Sequence, residues 1–100
     1  MIVSTKDGNR KIPSSFAIAQ NFPNPFNPST TILFDVPIDN DVTIEVFDLL
    51  GRRVAAVVNE FVFAGEHSVM FDASRLSSGI YFYSMRAGSF TAVKKMSFIK

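Results

Sequence analysis

Thr30–Val36 reads TTILFDV, and shortly after it Val42–Asp48 reads VTIEVFD. Ile32, Phe34 and Val36 fall on one side of the first run, with Thr31, Leu33 and Asp35 on the other. In the second, Val42, Ile44 and Val46 alternate in the same way with Thr43, Glu45 and Phe47. A period of two in β-branched and aromatic residues marks a strand with one buried face, not a helix. Between the runs stand Pro37, Ile38, Asp39, Asn40 and Asp41. Proline fixes φ, and Asp and Asn side chains bond nearby backbone. This is therefore a turn, and the two runs are expected to pair as a hairpin.

The same texture continues on both sides. Leu49-Leu50-Gly51-Arg52 supplies a turn in which Gly51 is free to take φ > 0. Arg53–Phe63 carries Val54, Val57 and Val58 in a phase that does not hold, which points to a β-bulge. Gly65–Asp72 sets His67, Val69 and Phe71 against Ser68, Met70 and Asp72, and Ala73–Gly79 is a polar corner. Ile80–Arg86, IYFYSMR, is aromatic on both faces, as expected of a central strand covered by two layers. On that reading Phe82→Ala costs about 3–5 kcal/mol. Ala87-Gly88-Ser89 turns the chain into a last strand over Phe90–Ile99, whose alternation slips near Lys94-Lys95. A short strand at Phe16–Ala19 makes about seven, spaced roughly 10–12 residues apart, the signature of an all-β, immunoglobulin-like antiparallel β-sandwich. Tyr81 follows a corner containing Gly79 and shares a face with Tyr83. It is either a tyrosine corner, its hydroxyl bonded to upstream backbone, or an ordinary core tyrosine.

The totals exclude a good deal. The chain has 100 residues, 47% hydrophobic and 19% charged, which fits one folded domain and not a disordered segment. A net charge of +1 gives no bulk reason to bind nucleic acid or an acidic membrane. Without cysteine there is no disulfide, thiolate metal site or thiol nucleophile. The longest apolar run, Val54–Val58, falls far short of the roughly 20 residues that span a bilayer. Residues 1–15, MIVSTKDGNRKIPSS, lack the apolar segment of a signal peptide and read as a polar linker or tail. At roughly 3.3 Å per residue this tail reaches about 50 Å.

No residue set for catalysis, a metal or a cofactor emerges. His67 lies between Glu66 and Ser68, whose side chains point to the opposite face of a strand, so it reads as a partly exposed strand residue. Asp39-Asn40-Asp41 lacks the ladder, glycine and closing glutamate of a calcium loop and reads as a turn. Arg52-Arg53 and Lys94-Lys95 read as solvated strand edges, where lysine discourages aggregation. Eleven Phe with no Trp points to packing and not to a carbohydrate-binding platform.

Phe22-Pro23-Asn24-Pro25-Phe26-Asn27-Pro28-Ser29-Thr30 is the exceptional segment. Three prolines in six positions remove three N–H donors and push the preceding residues to extended geometry. The segment is thus a stiff, extended lid or crossover, with Phe22 and Phe26 available to plug the core.

These residues resemble the type A C-terminal sorting domain of the Por (type IX) secretion system. Gln20–Thr31 looks like its opening box, within which Pro23, Asn24, Pro25, Phe26, Asn27 and Pro28 carry the motif. Phe47–Arg52 looks like its "YDLLGR" turn, including Gly51 and Arg52. Ala64–Val69 is similar to a further box, and Leu76–Tyr83, with Gly79 and Tyr81, to the "LasGvYfY" segment. Val93-Lys94-Lys95-Met96 and Lys100 resemble the basic, apolar ending. Phe22 and Phe47 stand where the family often has tyrosine, and Phe71 where it often has tryptophan.

The resemblance implies a domain over residues 16–100 that is an address, not a catalyst, without a cofactor. It implies a cargo fused before Phe16 that crosses the inner membrane by its own signal and transits the periplasm. The type IX outer-membrane translocon then takes it to the cell surface, and a sortase-like peptidase removes the domain. Lys94, Lys95 and Lys100, with the turn at Gly51 and Arg52, are the candidate recognition residues. The competing reading on the same fold is an immunoglobulin-like adhesion or carbohydrate-binding accessory module of a secreted enzyme.

Overall fold

In the computed structural model, which describes residues 12–100, the alternating runs become seven strands. They are β1 (Ala17–Ile18), β2 (Ser29–Val36), β3 (Asn40–Phe47), β4 (Arg53–Val62), β5 (Gly65–Asp72), β6 (Gly79–Ala87) and β7 (Phe90–Phe98). There is no helix among the described residues. The linker expected over residues 1–15 falls outside the described residues up to residue 11; residues 12–15 form no strand.

The strands form two antiparallel sheets, ordered β1-β2-β5 and β4-β3-β6-β7. This is an immunoglobulin-like order in which the fourth strand pairs with the third instead of the fifth. Ile32, Val36, Val42, Ile44, Val46, Tyr83, Met85 and Met96 have no exposed surface and form the core between the sheets.

Here the expected hairpin of Thr30–Val36 with Val42–Asp48 is corrected. β2 and β3 lie in different sheets, so the Pro37–Asp39 connection is an arch across the core. Alternation dictates which face is buried but not which strand is the neighbour, and both inner faces meet across the core. A second arch joins β4 to β5, and the Asp39 carboxylate accepts the Ala64 N–H at 2.8 Å, tying the two arches together.

β4 shifts register between Ile44 and Glu45 and again between Val46 and Phe47, so the bulge expected there is present twice. β6 is central in its sheet, but the reading that both its faces are covered is corrected. Tyr81, Tyr83, Met85 and Ala87 are buried while Ile80, Phe82 and Ser84 stay partly exposed, because no layer covers the outer face. The expected slip at Lys94-Lys95 is also absent. β7 keeps strict alternation, with Met96 and Phe98 buried and Lys94 on the same, core-facing side. Glu60 stands opposite the buried Val42 on β4, and Lys94 opposite the buried Tyr83 on β7. Each edge strand of the larger sheet thus carries an inward charge, which discourages pairing with another chain.

The proline segment is a strap over one side of the sandwich. Phe22 bridges Thr31 of β2, and Phe26 bridges Phe98 of β7. The peptide bonds preceding Pro23, Pro25 and Pro28 are cis. Phe26 is buried, stacking on Phe98 at 5.2 Å and meeting Phe71 edge-on at 6.4 Å. Phe22, expected to plug the core as well, is exposed instead, since its neighbour Asn21 takes the inward position.

Candidate functional site

Strand direction gathers most of the recognisable boxes at one end of the sandwich, while the Ala64–Val69 box opens β5 at the other. β2, β4 and β6 begin at the first of these ends and β3, β5 and β7 end there. That end therefore carries Phe26–Pro28, the Asp48–Arg52 turn, the Ala73–Ser78 corner and Ile99–Lys100. The Lys100 N–H donates to Ser78 Oγ at 2.9 Å, and the Ala73 N–H to the Pro28 carbonyl at 2.8 Å. The chain enters at the opposite end, where Ala17 pairs with Asp35 and Phe16 stacks on Phe90 at 5.6 Å.

The Asp48–Arg52 turn is self-contained. Asp48 accepts the backbone N–H groups of Leu50 (2.9 Å) and Arg52 (3.0 Å) and the Arg52 Nε–H (2.8 Å). The Arg52 N–H, ahead of the Arg52 side chain and the Leu50 N–H, holds the Asp48 carboxyl below its ordinary range against the opposing effect of burial. Gly51 takes φ +82, the left-handed region where a side chain is strained. The turn leaves Leu49 and Leu50 66% and 78% exposed. Together with Asp48, Arg52, Ser78, Gly79, Ile80 and Tyr81 they line a shallow groove.

The strap is fastened by buried polar groups. The Tyr83 hydroxyl, fully buried, donates to the Ala19 carbonyl at 2.7 Å and accepts the Asn21 N–H at 2.8 Å. Burial raises the Tyr83 hydroxyl's pKa, partly offset by the Asn21 N–H. Asn21 and Thr30, both buried, bond each other, and each donates to the Pro23 carbonyl. At the far side Asn24 Oδ1 accepts the Ser97 N–H at 2.9 Å. The Phe26 N–H donates to the Ser97 carbonyl, and the Ile99 N–H to the Phe26 carbonyl. Of the motif residues, Asn24 and Phe26 thus fasten β7, the Pro23 and Pro28 carbonyls are bonded to Asn21, Thr30 and Ala73, and Pro25 and Asn27 lie between these anchor points. Tyr81 is the tyrosine corner: its hydroxyl donates to the Ser77 carbonyl, four residues upstream, at 2.6 Å.

The three candidate lysines do not form one patch. Lys94 faces the core side of β7, Lys95 the outer side, and Lys100 lies at the motif-bearing end. Register instead builds a row on the outer face of the larger sheet: Arg53 opposite Phe47, Phe47 opposite Phe82, Phe82 opposite Lys95. Sequence reading missed this row because only pairing register aligns its members; it likewise missed the Tyr83 fastening. His67 stacks on Phe34 at 5.3 Å, its Nε2 2.7 Å from the Phe63 carbonyl, a structural placement. Among the described residues no three His, Asp or Glu side chains converge as metal ligands.

No curated protein and no solved structure matches the chain. Residues 20–100 match the family described as the secretion system C-terminal sorting domain. That span begins at Gln20, whose side-chain amide donates to the Lys95 carbonyl at 2.7 Å, and ends at Lys100. The chain belongs to the type IX secretion C-terminal sorting domain family, whose members direct export to the cell surface or the extracellular space.

Proposed function

We propose that this domain is the non-catalytic address by which the outer-membrane translocon takes a cargo attached ahead of Phe16. The observation carrying the reading is the polarity of the fold. The chain enters at one end, and all the boxes that reach a pole except Ala64–Val69 gather at the other, about a strand's length away. A bulky cargo on the entry side leaves the motif-bearing end unobstructed. Leu49, Leu50, Arg52 and Lys100 are exposed there, and Lys95 stands on the adjoining face. A sortase-like peptidase cuts in the stretch of residues 1–15, whose polar composition suits a proteolytic site. The cargo passes through the periplasm on its own signal.

The test is a secreted reporter fused ahead of residue 1, expressed in a type IX-competent bacterium. The reporter is expected at the surface or in the medium, with a new terminus within residues 1–15 by mass spectrometry. The same reporter fused after Lys100 sits on the motif-bearing end and is expected to remain in the periplasm. Equal export of both fusions would refute the polarity argument. Full export after Lys94, Lys95 and Lys100 are all changed to Ala would remove the lysines from the recognition surface.

A further inference from the structure

The row Arg53–Phe47–Phe82–Lys95 is unusual for the outer face of a sandwich, where alternation normally leaves polar side chains. Phe47 and Phe82 are partly exposed, Arg53 and Lys95 exposed. Ile80 and the exposed Val93 extend its apolar part along the neighbouring strands. Glu45 holds Arg53 at 3.0 Å from the next row, which fixes the guanidinium beside Phe47. Lys95 has no carboxylate partner among the described residues. The smaller sheet is the opposite in charge. Its outer face carries Asp35, Glu66 and Asp72, with Asp35 directly opposite Glu66, and its strands contain no Lys or Arg.

We propose that this row binds an extended acidic peptide segment of the pattern acidic–x–aromatic–x–acidic, laid across the strands. Adjacent strands are about 4.8 Å apart, so Arg53 and Lys95 stand about 14 Å apart. In an extended peptide the side chains at i and i+4 share a face and lie about 13.6 Å apart, with i+2 midway. Two carboxylates therefore meet the two cations, the one at Arg53 sharing the guanidinium with Glu45, while the middle residue lies over Phe47 and Phe82. Charge-assisted hydrogen bonds set the register, and aromatic contact supplies apolar burial. The acidic outer face of the smaller sheet repels the same segment, which fixes the face used. Only the assignment of this segment to the export machinery rests on the sorting reading.

The test is NMR titration of the full 100-residue chain with the blocked peptide Gly-Glu-Thr-Phe-Thr-Glu-Gly, alongside its Glu-to-Gln counterpart. Shifts are expected at Phe47, Ile80, Phe82, Val93 and Lys95, weakening with salt and lost with the Gln peptide. Lys95→Glu, an exposed change checked for folding by circular dichroism, is expected to weaken binding roughly tenfold or more, with Lys100→Glu within about twofold of wild type. Unchanged binding by Lys95→Glu, or shifts on the β2–β5 face, would overturn the proposal. So would a response of the same row to polygalacturonate but not to the peptide, which would assign an acidic saccharide instead. In cells, Lys95→Glu is expected to lower reporter export; full export with peptide binding lost would overturn the assignment to the machinery. Failure of the wild-type fusion to be exported counts against the sorting reading and leaves the peptide result standing.

Discussion

Tyr83→Phe is the sharpest perturbation the fold offers, because it removes one oxygen and changes no packing volume of note. That oxygen makes two bonds, to the Ala19 carbonyl and from the Asn21 N–H. Ala19 is exposed, so its carbonyl recovers a water partner. Asn21 is 2% exposed, so its N–H is stranded. A lost hydrogen bond costs about 1 kcal/mol net and an orphaned buried donor about 1–3 kcal/mol, which together give about 2–4 kcal/mol. For a domain this size, each kcal/mol moves Tm by roughly 4–8 °C, so a drop of about 8–32 °C is expected. Urea unfolding at neutral pH measures the free energy, and Tyr81→Phe is the control. Its hydroxyl makes a single bond, to Ser77, and its loss is expected to cost about 1 kcal/mol. The alkaline limb gives a second reading. Because burial raises the pKa of the Tyr83 hydroxyl, the folded state keeps its proton where the unfolded chain has lost it. Its contribution is complete below about pH 10 and is lost as pH rises through the folded value. Tyr83→Phe is expected to flatten that limb. A Tyr83→Phe protein within about 0.5 kcal/mol of wild type, or one less affected than Tyr81→Phe, would refute the fastening argument.

Phe26→Ala empties a site packed by Phe71 and Phe98 and is expected to cost about 3–5 kcal/mol by denaturant unfolding. Short of unfolding, it frees β7 first, so hydrogen exchange at the Ser97 and Ile99 amides is expected to accelerate before that of the β3 and β6 core. Phe82→Ala, on the uncovered outer face, is expected to cost only about 1–2 kcal/mol by the same measurement, not the larger figure that a doubly covered strand implies. The Asp48 carboxyl titrates below its ordinary value. Its stabilisation of the Leu49–Arg52 turn is present above about pH 4 and is lost as pH falls through the folded value. Asp48→Asn is expected to remove that acid dependence of the turn amide shifts.

Strand positions and buried faces were legible because each follows from local alternation, as with Ile32, Phe34 and Val36. Neighbours were not. Nothing within Thr30–Asp48 distinguishes a hairpin from an arch, since the difference lies in which distant strands each run pairs with, β5 for the first and β6 for the second. The doubly aromatic run at Ile80–Tyr83 misled for a related reason. A partly exposed Phe82 looks like a buried one until the absence of a covering layer is known. Lys94 and Lys95 read as one basic pair, yet adjacent strand residues face opposite ways, and only an unbroken alternation through Met96 and Phe98 says which goes where. A corner at Tyr81 stood as one of two readings because its partner is only four residues away. The Tyr83 fastening was not legible, with partners more than sixty residues upstream.

The boxes that mark this family divide by where their side chains go. In the strap, Asn21 and Phe26 are buried, and Asn24 is committed to the Ser97 amide. A partner approaching the folded domain meets the exposed Pro23, Asn24, Pro25, Asn27 and Pro28 but not Asn21 or Phe26, whose contribution to sorting runs through what they hold: the Tyr83 hydroxyl and the last strand. Leu49, Leu50 and Lys95 do the reverse. They are exposed, none is needed to fill the core, and two are leucines whose exposure is unfavourable in an isolated domain. Under the proposed function a receptor reads this second set. The two sets then fail differently. Weakening the strap lowers stability and export together, whereas Leu49→Ser with Leu50→Ser is expected to leave Tm within a few degrees and still impair export. Loss of export that always tracked loss of stability, across both sets, would mean that the machinery reads foldedness and not a surface.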